Sequence, residues 1–68
     1  MVDVKIKSEY ITLGQFIKYV GIISNGAEAK IFLATNKAYV NGELDTRRGR
    51  KLYPNDVVMI NKETYRIL

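Results

Sequence analysis

Between Ile11 and Gly21 the chain carries the signals for one short helix, and a helix that short has to be packed against something. Leu13, Phe16, Ile17 and Val20 recur at the i, i+3, i+4 and i+7 spacing of an amphipathic stripe. Thr12 followed by Gln15 makes a capping box, and Ile11 stands where a residue staples onto Phe16 one turn later. Gly21 supplies the left-handed residue that closes a helix C-terminus. Helices of about nine residues are not stable alone in water. The stripe therefore needs a layer built by the rest of the chain.

A second helix follows at once. Ser24 and Asn25 are good N-caps, and Asn25 with Glu28 forms another capping box. The expected helix runs from about Asn25 to Thr35, with Ala27, Ile31 and Ala34 on one side, Phe32 or Leu33 widening the apolar face, and Asn36 in a left-handed C-cap. Ile22 and Ile23 fill the space between the two helices, which form a compact corner.

Elsewhere the period is two. Val2, Val4 and Ile6 share one face and Asp3, Lys5 and Lys7 the other, as in a half-buried edge strand. Ala38 and Val40 face inward and Tyr39 and Asn41 outward, and Asn41-Gly42 is the dipeptide favoured in two-residue hairpin turns. Leu44 begins the return strand. Tyr53-Pro54-Asn55-Asp56 is a turn, Val57-Val58-Met59-Ile60 a short apolar strand, Asn61-Lys62-Glu63 a further turn, and Tyr65 and Ile67 the inward side of a last strand. The expected fold class is α+β: two short packed helices against a small antiparallel sheet of about four to five strands, in a single domain over residues 1–68.

A domain of 68 residues buries only roughly 60% of the surface its unfolded chain exposes. The absence of cysteine rules out disulfides and thiolate metal sites as compensation and points to a reducing, cytoplasmic setting. The alternating N-terminus is unlike a signal segment, and no apolar run approaches the ~18 residues of a membrane span. Neither export nor membrane insertion is expected.

With no histidine and no cysteine, the usual base near neutral pH, the thiolate nucleophile and the commonest transition-metal ligands are missing. Glu28, Glu43, Asp45 and Asp56 stand singly in polar or turn contexts, Asp56 as a turn residue, and no phosphate-cradling glycine motif is present. The residues argue against an enzyme and imply no cofactor, metal or small-molecule substrate.

Arg47-Arg48-Gly49-Arg50-Lys51 places four cations in five residues, equal to the whole formal net charge of +4. Such a run can be a merely solvated loop. Its density on an otherwise balanced chain calls for a polyanion, however, and arginine's planar fork holds phosphate with two hydrogen bonds. Tyr39 is a candidate for stacking on an unpaired base or for packing across the hairpin, and Tyr53 is similarly ambiguous. Ser24, Asn25 and Gly26 at a helix start form either a phosphate site or an ordinary cap.

The series Ile11-Thr12-Leu13-Gly14-Gln15-Phe16, Ser24 to Lys30, Val40-Asn41-Gly42-Glu43 and Leu52 through Val58 resembles the RNA-binding domain named after ribosomal protein S4, the alpha-L motif. The similarity spans about residues 11–60 and is greatest to small stand-alone bacterial members, in which Thr46 to Leu52 also has a counterpart. It implies two helices on a small antiparallel sheet, with the second helix and the hairpin loops forming a basic surface for structured RNA. Lys30 matches a cationic position of the family, and Ser24, Glu28, Ala29, Val40, Asn41 and Gly42 match motif positions. Gly26, Ile31, Ala34 and Tyr39 stand where larger members often carry cations, which shifts the weight to residues 47–51. Asn55 replaces a preferred glycine, and asparagine tolerates the left-handed region.

The expected function is binding of ribosomal or other structured RNA, as a monomer, through Arg47, Arg48, Arg50 and Lys51, helped by Lys30, Lys37, Tyr39 and the Ser24–Gly26 turn. The alternatives are a protein adaptor for an acidic partner and a binder of duplex DNA.

Overall fold

The computed structural model describes all of residues 1–68. In chain order it contains strands β1 (Val2–Val4) and β2 (Ile11–Thr12), helix α1 (Leu13–Tyr19), a 3-10 turn (Gly26–Glu28) and helix α2 (Ala29–Thr35). Strands β3 (Ala38–Val40), β4 (Glu43–Leu44), β5 (Lys51–Leu52), β6 (Val57–Ile60) and β7 (Glu63–Ile67) follow. Five strands form one sheet in the order β1-β7-β6-β3-β4, and β2 pairs with β5 in a separate two-stranded ladder. The two helices pack together on one face of the main sheet, so the α+β expectation holds. One pair, β1 with β7, is parallel. A parallel partner needs a long crossover, and here nearly the whole chain lies between the two strands.

Helix α1 forms as its sequence dictates. Thr12 Oγ1 accepts from the Gln15 N–H at 3.3 Å while the Thr12 N–H donates to Gln15 Oε1 at 3.0 Å. At the other end Gly21 has φ +84°. Its N–H donates to the Lys18 carbonyl at 3.0 Å and the Ile22 N–H to that of Ile17 at 2.9 Å, the paired bonds of a Schellman ending.

The second helix departs from expectation in three ways. Asn25 and Glu28 do form a capping box, but around the 3-10 turn, and the α-helix begins only at Ala29. The buried face is Ala29 and Leu33 with Phe32 half-buried, whereas Ala27, Ile31 and Ala34 are exposed. Apolar and small residues surround most of this helix, so the sequence offers two usable stripes, and packing against α1 selects one. Asn36 is extended, with φ −125° and ψ 147°, rather than left-handed. Its N–H and Nδ2 both donate to the Phe32 carbonyl, at 2.8 and 3.2 Å, so it closes the helix while already directing the chain into β3.

The β3–β4 hairpin turns through Asn41 (φ 51°) and Gly42 (φ 86°), the left-handed pair of a type I′ turn. Tyr53–Asp56 is a type II turn with Asn55 at φ 81° and the Asp56 N–H bonded to the Tyr53 carbonyl at 3.0 Å. The Asp56 carboxylate ties the two turns together, accepting from the Tyr53 N–H at 2.8 Å and from Asn41 Nδ2 at 3.1 Å.

The core joins Leu13, Phe16 and Ile17 of α1 and Ala29 and Leu33 of α2 to Val4, Ala38, Val40, Val58, Ile60 and Ile67 of the sheet, with Leu52 from β5. Phe16 meets the ring of Tyr65 edge-on, with centroids 5.2 Å apart and planes at 84°. Truncating a fully buried phenylalanine such as this one costs about 3–5 kcal/mol.

Candidate nucleic-acid interface

The segment between β4 and β5 carries the basic run, and its backbone is bolted to the start of α1. The Arg50 carbonyl accepts from the Leu13 N–H at 2.7 Å, and the Arg48 carbonyl from the Gly14 N–H at 2.9 Å. With the Thr12–Gln15 box, every free N–H of the first turn of α1 has an acceptor. Gly14 permits the approach: a Cβ there would lie 3.0 Å from the Arg48 Cβ and 3.2 Å from its carbonyl oxygen.

Asp45 fixes the side chains. It is only 8% exposed. Oδ1 accepts from the Arg47 N–H at 2.9 Å and Arg47 Nε at 3.0 Å, and Oδ2 from Arg47 Nη2 at 2.7 Å and Arg50 Nη1 at 2.9 Å. The Arg47 side-chain bonds, aided by its backbone N–H and by Arg50, outweigh burial and hold the Asp45 carboxyl well below the usual carboxylate range. In the sequence Asp45 stands as an isolated acid, its one legible signal being its place two positions before Arg47.

The four cations are consequently of two kinds. Arg47 and Arg50 share one buried anion, although the Arg47 side chain stays 69% exposed and can still meet a phosphate at its outer edge. Arg48 and Lys51 have no ion pair. Arg48 lines a hollow of about 340 Å³ floored by Gly14, Gly26, Ala29 and Gly49, with Lys18 on its rim. Lys51 lies on the other side of the loop, where the β2–β5 pairing, Ile11 with Leu52 and Thr12 with Lys51, brings Tyr10 next to Tyr53. Their rings are 5.8 Å apart at 47°, and Lys51 Nζ stands 4.9 Å over the Tyr10 ring. Arg47, Arg50, Lys51 and Tyr53 border one open groove.

The remaining candidates are not gathered there as donors. Gly26 reaches the hollow. The Ser24 hydroxyl donates to Glu28 Oε1 at 2.5 Å, and the Ser24 and Asn25 N–H groups reach the same oxygen at 3.2 Å. These bonds, the Ser24 hydroxyl foremost, hold Glu28 below its ordinary range, and its carboxylate sits where the sequence suggested a phosphate. Lys30 and Lys37 are exposed but line neither the hollow nor the groove. Tyr39 lies on the outer face of the sheet, paired across strands with Leu44 and Met59, away from a loop bonded to α1 on the inner side.

A backbone-anchored basic loop flanked by exposed aromatic rings suits a chain of phosphates with unpaired bases. A family model described as the S4 domain matches residues 4–68. The chain is also 53% identical over 57 residues to the probable ribosome maturation protein RlbA of Bacillus subtilis (strain 168), across 84% of this chain and 80% of that protein. The motifs, the helix pair on its sheet and these matches agree: the chain belongs to the S4 domain family of RNA-binding domains.

Proposed function

We propose that this chain binds ribosomal RNA, or another folded RNA of the ribosomal particle, through the loop Arg47–Lys51, in the bacterial cytoplasm where that particle is assembled. The observation that carries this reading is the division of labour in the loop. Asp45 and the N-terminus of α1 hold it in one conformation, so Arg48 and Lys51 are presented to phosphate with little ordering cost left for binding. The similarity to a probable ribosome maturation protein supports the ribosomal target. Capture is electrostatic, and the fixed backbone sets the pose.

The test is fluorescence-anisotropy binding to a folded ribosomal RNA fragment and a length-matched DNA duplex over a salt series, with native protein and with Arg48→Ala/Lys51→Ala. The native protein should prefer the RNA, and the variant should bind more weakly, its log-log salt slope shallower by about 1.5. Equal, feeble binding of both nucleic acids by both proteins would overturn the reading and direct attention to an acidic protein partner.

A further inference from the structure

Resting on that RNA-binding reading, we infer that Tyr10 and Tyr53 form a stacking platform for unpaired bases, so the preferred RNA carries a bulge or single-stranded nucleotides beside the stem whose phosphates meet the basic loop. The five tyrosines divide by what holds them. Tyr65 is packed edge-on against Phe16, Tyr19 donates its hydroxyl to the Lys5 carbonyl at 3.1 Å, and Tyr39 sits within the sheet between Leu44 and Met59. Tyr10 and Tyr53 have neither a core partner nor a hydrogen bond for the hydroxyl. They remain 37% and 42% exposed.

Their position gives the exposure a purpose. Tyr10 directly precedes β2 and Tyr53 directly follows β5, so both rings are mounted on the ladder that begins where the basic run ends. The tilted rings, 5.8 Å apart, both stay partly exposed, and Lys51, whose Nζ stands over the Tyr10 ring, also lines the groove with Arg47, Arg50, Tyr53 and Asp56. A base on these rings would have its own phosphate among those cations. Aromatic faces recognise any unstacked base, whereas a continuous duplex keeps its bases inside the stack.

The experiment compares two RNA stems, alike except that one has a two-nucleotide purine bulge, by anisotropy at fixed salt. Native protein should bind the bulged stem at least about 5-fold more tightly, from the usual worth of base–aromatic stacking. Tyr10→Leu/Tyr53→Leu should lose that preference and bind the two stems about equally, while Tyr10→Phe/Tyr53→Phe should retain it. In the native protein the ring resonances of Tyr10 and Tyr53 should shift with the bulged stem and stay in place with the paired one, a readout independent of how the variants fold. Equal affinity of native protein for the two stems, or unmoved rings, would overturn the platform while leaving phosphate capture standing. Failure to bind either stem would overturn both.

Discussion

Asp45 grips Arg47 with both carboxylate oxygens, Oδ1 to Nε at 3.0 Å and Oδ2 to Nη2 at 2.7 Å. Because the same carboxylate also holds Arg50 and the Arg47 N–H, one side chain organises the loop that carries the excess charge of the protein. Asp45→Asn cannot serve both arginines as a charged acceptor. It should destabilise the fold by about 1–3 kcal/mol, read as a lower urea midpoint, with broadened amide resonances over residues 45–50.

Acid should act through the same group. The Asp45 carboxyl is held low in the folded chain and returns to about 3.9 when unfolded. The unfolded state therefore takes up its proton first, and the stabilisation, complete above about pH 5, is lost progressively as pH falls below 4. Urea midpoints from pH 6 down to pH 2 should fall more steeply for the native protein than for Asp45→Asn, which lacks this titration.

Arg48 and Lys51 make no ion pair, so Arg48→Ala and Lys51→Ala should leave the unfolding free energy from urea titration within about 0.5 kcal/mol of native. Each should weaken RNA binding and reduce the salt slope by about 0.7–0.9. Arg50→Ala should lower affinity and stability together, because it removes a partner of the buried Asp45. Paired unfolding and anisotropy measurements on the three variants would separate presented cations from structural ones.

Gly14→Ala tests the contact between α1 and the loop. Alanine favours the helix by about 1 kcal/mol, but its methyl would press on the Arg48 Cβ and carbonyl at 3.0 and 3.2 Å, atoms that cannot swing aside. A net loss of about 1 kcal/mol is expected. The amide resonances of Arg48–Arg50 should move, and RNA affinity should fall although no cation has been removed.

Features that depend on neighbours within three to five residues were determined by the sequence itself. The Thr12–Gln15 box, the Gly21 ending, the Asn41-Gly42 turn, the Tyr53–Asp56 turn and the inward alternation of Ala38 and Val40 all appear as expected, since each is set by local hydrogen bonds or by a two-residue period. The basic run and its family resemblance were equally plain. Tertiary structure alone decided which stripe of α2 is buried, that β7 lies parallel to β1, and that β2 meets β5 to bring Tyr10 to Tyr53. It also decided that Asp45 is the hidden counterion of the run and that Glu28 fills the anion position beside Ser24 and Asn25. These outcomes depend on which elements the topology brings together or on which way a side chain turns, and spacing along a sequence does not encode either.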